Sequence, residues 1–254
     1  MELALKYHRS ERWIREQIHK YKVTIKQRTP REVVLVMDAT FFGKRIDKFG
    51  LIIAKDTKTL EPISYHFIHT ESMVEYSRLK SSILSQGFTI QSVTIDGKRG
   101  LFSLFANTPV QMCHFHQQAI VTRYLTRKPK LQASIDLKRI TGYLGSISEQ
   151  RFVCLLDCWH KRHQEFLLQK THNEETGKWH YTHRRIRSAF RSLKSNLPYL
   201  FTYKKYPDLN IPNTTNALDG GLFSPMKMLL RIHRGIGIEM KKKLISDYLE
   251  KQVK

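Results

Sequence analysis

Residues 32–38 read Glu-Val-Val-Leu-Val-Met-Asp. Successive residues of a strand face opposite sides, so an unbroken apolar run puts hydrophobic side chains on both faces. Five apolar residues in a row, three of them valine, therefore predict a strand covered on both sides, in the middle of a sheet. The run ends in Asp38. A carboxylate at the tip of a core strand is costly unless hydrogen bonds or opposite charge compensate it. Aspartate is also a common turn residue and helix cap, so one such residue says little.

The following residues repeat the feature. Phe49 to Ala54 and Pro62 to Ile68 read as second and third strands, joined by turn-like stretches around Gly43–Asp47 and Asp56–Thr59. Short connections make these an antiparallel meander. Val74 to Gln86 reads as a helix closed by Gly87. Val93-Thr94-Ile95 is a fourth strand and runs into Asp96-Gly97. After a short helix at Leu101–Phe105, Val110-Gln111-Met112 is a fifth strand that leads into Cys-His-Phe-His-Gln-Gln. This is the element order of a ribonuclease H-like α/β core with a mixed sheet. If the fourth strand packs beside the first, Asp38 and Asp96 meet at the carboxyl edge of the sheet. A divalent cation would compensate them. Mg²⁺ accepts carboxylates, keeps several waters and clamps phosphate oxygens. Paired metals stabilise both the attacking and the leaving oxygen of a phosphoryl transfer.

Charge narrows the partner. Lys plus Arg number 44 against 22 Asp plus Glu, a formal net charge of +22. Such an excess predicts a polyanion, with nucleic acid first and an anionic membrane surface second. No apolar run approaches the roughly 20 residues that span a bilayer, and the first residues lack a signal-peptide core. Three cysteines cannot make a disulfide framework and suggest a reducing compartment. The expectation is a cytoplasmic, nucleoid-associated protein that uses no membrane.

Two basic segments flank this core. In the arm, Met1 to Lys22, Ser10 can cap a helix on which Ile14, Ile18 and Tyr21 share one face. Arg12, Arg15, Gln17, His19 and Lys20 occupy the other. A short helix, a turn and a basic second helix fit the back half of a helix-turn-helix, and equally an ordinary amphipathic helix with a solvated face. Its nearly missing first helix suggests a chain that begins late within a longer ancestor. Lys22 to Arg31 reads as a basic linker. Farther on, Gln117–Leu125, Leu131–Leu144, Glu149–Leu168 and Arg184–Leu197 carry helical patterns rich in cations, Arg184 and Arg185 among them. Interleaved aromatic rings suit a DNA-tracking surface. Trp159 and Phe190 are assigned to the core, the usual place for aromatic rings at helical spacing. Asn173–Lys178 reads as a polar loop or hairpin tip. A final segment, Asn-Thr-Thr-Asn-Ala-Leu-Asp-Gly-Gly, offers Thr214, Thr215 or Asn216 as a cap and places Asp219 early in a helix, with Lys227 eight positions later. Glu239–Lys251 is the last helix. Cys113, His114 and His116 raise zinc, with Cys154, Cys158, His160 and His163 as a second group. No standard spacing fits, so zinc is not expected.

Asp38 in Val-Met-Asp-Ala-Thr, Asp96 in Thr-Ile-Asp-Gly, Cys113-x-x-His116 after the fifth strand and the acidic residue in the Asn-Thr-Thr-Asn segment together resemble bacterial insertion-sequence DDE transposases of the Mutator-like superfamily. The resemblance covers roughly residues 32 to 245. It implies an arm and linker over 1–31 and a ribonuclease H-like catalytic domain over 32–254, with an all-α insertion at about 117–205. Asp38 and Asp96 match the first two metal ligands, and Asp219 stands where the family usually has glutamate. Gly220-Gly221 and Pro225 also depart from the smooth helix expected there. The resemblance further implies Mg²⁺, with Mn²⁺ as a substitute, and Cys113 and His116 as a motif near the active site. Lys227 would hold a DNA phosphate. The implied partners are the element's terminal inverted repeats and target DNA, contacted by the arm and the helical block, with a homodimer or larger assembly in the DNA complex. The implied reaction is hydrolysis of a phosphodiester at the element's end, followed by attack of the freed 3′-hydroxyl on target DNA. The three carboxylates are then expected to meet at a shared metal-binding distance beside a basic groove. Two other readings share these residues. One is a truncated or domesticated relative that binds DNA without cutting it. The other is a host nuclease of the same fold, which the helices before the last acidic residue disfavour.

Overall fold

The computed structural model describes residues 2–43, 49–98 and 100–253, so most of the turn expected over Gly43–Asp47 lies outside the described residues. A five-stranded mixed sheet organises the chain. β1 (Glu32–Phe42), β2 (Phe49–Asp56) and β3 (Pro62–Ile68) form an antiparallel meander. β4 (Thr89–Ile95) and β5 (Val110–Met112) join it in parallel on the far side of β1, giving the order β3-β2-β1-β4-β5. β1 is therefore central, as its apolar run requires.

The strand alternation sorts β1 between two cores. Val33, Leu35 and Met37 pack with Tyr76, Leu79 and Ile83 of α3 (Met73–Ser85) and with Leu101 of α4 (Leu101–Leu104). Ser72 caps α3, and Gly87 ends it with φ +84°, where a side chain would also press on Pro30. Val36 and Phe42 face the other way. They meet Leu218, Met226 and Leu230, and Ile245 and Leu249, from the C-terminal segment. That segment comprises α11 (Asn216–Leu218), a π-helical turn (Asp219–Phe223), α12 (Ser224–Ile232) and α13 (Ile238–Glu250).

Between β5 and α11 lies a mostly helical block with its own core. It contains α5 (His114–Leu125), α6 (Gln132–Gly142), α7 (Glu149–Arg162), α8 (Gln164–Leu168), α9 (Arg184–Leu200) and α10 (Thr202–Lys205). Trp159 is buried there and donates from Nε1 to the Ala133 carbonyl at 2.9 Å; Phe190 packs beside it. Two features differ from the sequence expectation. The helix read over 149–168 breaks at His163, which lies 3.5 Å from Asp136. The block is also not wholly helical, because β6 (Lys170–His172) and β7 (Trp179–Tyr181) form a ribbon around the expected polar tip. Helix α9 runs on through Pro198 to Leu200, whose carbonyl accepts from His114 and Gln111.

The arm is less buried than its pattern implied. α1 (Glu2–Lys6) and α2 (Glu11–Lys20) form, and the Ser10 side chain caps α2 as expected. No residue of α2 is buried, however, and Ile18 and Tyr21 are each nearly half exposed. The apolar stripe faces α13 and the turn before it, and the Tyr21 hydroxyl donates to Asp247 at 2.7 Å. Among the described residues no helix is long and apolar enough to cross a membrane.

The basic linker is largely exposed, but its two arginines are tied to the body of the protein. Arg28 pairs with Glu250 at 3.0 Å with both side chains buried, and also donates to the Pro62 carbonyl. Glu250 further accepts from the Tyr65 hydroxyl and the Lys26 amide. Arg31 reaches Asp56, Thr59 and Glu61 at the β2–β3 turn. Removing one partner from a buried pair leaves the other charge uncompensated and typically costs about 3–5 kcal/mol. Glu250→Ala is expected to lower unfolding free energy in urea by roughly that amount, and Glu250→Gln, which keeps an acceptor, by less.

Candidate active site

The sheet brings two predicted aspartates into line. Val36 of β1 pairs with Thr94 of β4, and parallel strands advance in step, so two residues on Asp38 is level with Asp96. Ile95 pairs with Met112, which puts Cys113 level with Asp96 on the next strand. Cys113 continues that pairing by donating its amide to the Ile95 carbonyl at 2.8 Å. Asp38, Asp96 and Cys113 thus stand on three neighbouring strands about 4.8 Å apart. Asp38 is not at a strand tip, as the sequence suggested. β1 continues to Phe42 because β2 stays paired with it after β4 has ended. The carboxylate lies where the parallel half of the sheet stops and the hairpin goes on.

Asp219 arrives from far along the chain. The Thr94 hydroxyl donates to the Pro212 carbonyl at 2.7 Å, and the His114 amide donates to the Asn213 carbonyl at 2.8 Å. The Thr215 amide donates to Cys113 Sγ at 3.4 Å, and its hydroxyl to Asp38 Oδ2 at 3.3 Å. Residues 212–215 are thereby stitched across the strand ends. Thr215 then accepts at its carbonyl from Leu218 and Asp219, and Leu218, Leu222 and Phe223 bury against the sheet. From below, the Lys55 ammonium donates to the Ala217 carbonyl at 3.3 Å. Burial lowers the Lys55 pKa.

These placements have a clear electrostatic consequence. Asp38 is almost wholly buried, and its pKa is raised to about 7. Burial is the main cause; the nearby charges of Asp219 and Asp96 add to it, against His116 and the Ala39 amide. That amide donates to Asp38 Oδ1 at 2.7 Å. Asp96 is raised as well, by burial first and then by Glu71, while its Oδ1 accepts from the Lys98 amide at 3.1 Å. His116, one turn into α5, has Nε2 3.9 Å from Asp38 Oδ2. Its pKa is raised to about 9 by Cys113, Asp38 and Asp96, against burial. Burial pushes the Cys113 thiol up, but His116 and the Thr215 hydroxyl bring it to a net value below the usual one.

Asp38, Asp96, Asp219, Cys113 and His116 therefore share one neighbourhood. Their hard oxygen donors suit Mg²⁺ or Mn²⁺. The expected convergence is incomplete, since among the described residues no three His, Cys, Asp or Glu side chains are placed to hold an ion together. His114 turns into the helical block and contacts the Leu200 carbonyl at 2.7 Å.

The other predicted residues lie on separate elements. Arg12 and Arg15 sit on the exposed face of α2 in i,i+4 pairs with Glu16 and Glu11, and Lys20 ends that helix. Arg184 and Arg185 open α9, where Arg185 donates to the Arg123 carbonyl at 2.7 Å. Lys227 projects from α12. Two residues of the site escaped sequence reasoning. Thr215 was read as a helix cap, yet its hydroxyl contacts Asp38 instead of capping α11. Glu71, just before α3, bears on Asp96 and accepts from the buried Tyr76 hydroxyl at 3.0 Å. The doubled threonine in Asn-Thr-Thr-Asn was the available signal for Thr215; Glu71 carried none.

A buried carboxyl with a raised pKa binds more protons in the native than in the unfolded protein, so stability falls as pH rises between the two values. For Asp38 this window runs from the ordinary carboxylate range up to about 7. In EDTA, Asp38→Asn is expected to stabilise the protein at pH 8 by roughly 2–4 kcal/mol, and the gain should fade as pH falls toward 4. Urea titrations across pH read this out; a gain independent of pH would contradict the assignment. No protein-family model matches the chain, and a search of curated proteins returned no match.

Proposed function

We propose that the chain is a DNA strand-transferring enzyme, a DDE-type transposase resembling the Mutator-like insertion-sequence family, here with an Asp-Asp-Asp set. The observation that carries this reading is the delivery of Asp219 to the neighbourhood of Asp38 and Asp96, which stand level on β1 and at the end of β4, by a segment hydrogen-bonded to both places. The strand order and the position of the helical block suit a ribonuclease H-like domain over 32–254 with an insertion at about 117–205. The arm at 1–31 then serves as a helix-turn-helix-like DNA contact.

Asp38, Asp96 and Asp219 would hold Mg²⁺, which supplies activation of water and neutralises the leaving oxygen when bound. Thr215 fixes one oxygen of Asp38 and leaves the carboxylate aimed. His116, as an imidazolium, offsets the negative charge that Asp38 and Asp96 place side by side. No covalent protein–DNA bond is required, so no serine or tyrosine nucleophile is assigned. The net charge of +22 supplies attraction to the backbone. The exposed cations of α2, Arg184 and Lys227 are the phosphate contacts, and Arg185 shares that role with its tie to Arg123.

A second reading, a relative that binds DNA but does not cut, draws on the carboxylates' failure to close as a donor set among the described residues. One experiment separates the two. The protein is incubated with Mg²⁺ or Mn²⁺ and a duplex carrying the sequences that flank its gene. Cutting is expected by the wild type and not by Asp38→Asn, Asp96→Asn or Asp219→Asn. Thr215→Val, which removes a hydroxyl shared by Asp38 and Cys113, is expected to slow cutting about 10–100-fold. Equal retention of DNA by all five proteins with no cutting by any would establish the binding-only reading.

A further inference from the structure

Lys55 is a buried cation that the proposed chemistry leaves unused. Register pairs Val36 with Lys55 and Asp38 with Ile53, so Lys55 and Asp38 share one face of the sheet, on adjacent strands. That face also carries Val36 and Ile53, packed under Leu218, Leu222 and Phe223. Lys55 is 8% exposed, and among the described residues it has no carboxylate partner. A buried ammonium without one is costly, and an apolar side chain would suit this cluster better. Its hydrogen bond goes instead to the Ala217 carbonyl, at 3.3 Å.

Ala217 lies in α11, a helix of three residues. So short a helix has no stability of its own, because its nucleus costs more than its bonds return. The chain after it is weaker still. Gly220 and Gly221 are poor helix formers, and space requires neither. A Cβ at Gly220 would meet nothing within 4 Å, and one at Gly221 would meet the Lys55 ammonium at 3.9 Å. In the π-helical turn the Ser224 amide reaches back five residues to the Asp219 carbonyl, which also accepts from the Ser224 hydroxyl at 2.9 Å. The buried stripe accounts for this wide turn. Leu218, Leu222, Met226 and Leu230 recur every four residues, and on a 3.6-residue helix such a stripe drifts by about 40° a step. A wider turn takes up the drift and keeps the stripe against the sheet.

Two fixed points hold this segment. The Thr215 hydroxyl is bound to Asp38 on β1, and the Ala217 carbonyl to Lys55 on β2. One point would leave α11 free to swing about it. Two points on neighbouring strands fix its direction, and Asp219 follows at its end, near enough for its charge to bear on Asp38. We propose that Lys55 is a positioning residue: through the Ala217 carbonyl, it sets where the Asp219 carboxylate stands relative to Asp38. The inference deepens the strand-transfer reading and rests on it for its consequence, a divalent-cation site weakened when Asp219 is displaced.

The test uses the whole protein with Lys55→Met, which keeps most of the length and drops the donor, and Lys55→Arg, which keeps a donor. Amide exchange in EDTA, read by mass spectrometry on peptides over 216–223, needs neither metal nor DNA. Lys55→Met should exchange there about five- to tenfold faster, the weight of one hydrogen bond, with β1 and β4 unchanged. Its urea midpoint should stay level or rise, since an apolar chain replaces a buried charge. Lys55→Arg should keep wild-type protection. Mn²⁺ affinity, from the electron paramagnetic resonance of the free ion, should fall about 10–100-fold in Lys55→Met and return in Lys55→Arg. Wild-type exchange over 216–223 in Lys55→Met overturns the proposal. So does faster exchange across the whole sheet with a lower midpoint, which would mark the lysine as packing alone. Faster local exchange in a protein whose Mn²⁺ binding ignores Asp219→Asn would leave the tether standing and sink the metal-dependent reading. Asp219-dependent Mn²⁺ binding that ignores Lys55→Met would do the reverse.

Discussion

A carboxylate sits in the middle of a strand that is buried on both faces, and much of the molecule is arranged around that fact. Among the described residues, the Ala39 amide, the Thr215 hydroxyl and the more distant His116 ring compensate Asp38. Two further carboxylates raise its pKa instead of lowering it. Burial of a charge among like charges opposes folding. It persists where a ligand of opposite sign gains from it, which is why the site supports the proposal of a divalent cation and a phosphate chemistry.

The same constraint explains the segment at 212–215. Four contacts, from Thr94, Cys113, His114 and Asp38, lie along four consecutive residues. Without them Asp219 would be placed by the Lys55 contact to the Ala217 carbonyl and by the apolar packing of Leu218, Leu222 and Phe223, which sets depth against the sheet but not direction. Cys113 is better understood in this light. Its sulfur receives the Thr215 amide, and its backbone extends β5 and starts α5, which places His116 one turn away. Cys113 and His116 thus act as parts of one support.

Much of this was legible beforehand, for identifiable reasons. The valine-rich run announced a central strand, and the short connections announced the meander. Both are local properties of period and turn chemistry. The reading went astray where tertiary pairing overrides local pattern. Asp38 looked like a strand end because apolar residues stop there, but β2 carries the ladder on to Phe42. The linker read as no more than basic because the partners of its arginines lie far off, Glu250 for Arg28 and Glu61 for Arg31. The stripe on α2 shares one helical face, yet it meets just α13 and the turn before it at the surface and stays about half exposed.

The amino-acid sequence by itself determined which residues are chemically able to serve: three aspartates, a Cys-x-x-His pair and a large excess of cations. It also determined the strands that carry the first two aspartates, since hydrophobic period is written residue by residue. Whether Asp219 joins Asp38 was decided only by tertiary structure, through Thr94, Cys113 and Thr215. Contacts between residues more than a hundred positions apart leave no period to read, because they depend on how separately folded segments come to rest against one another.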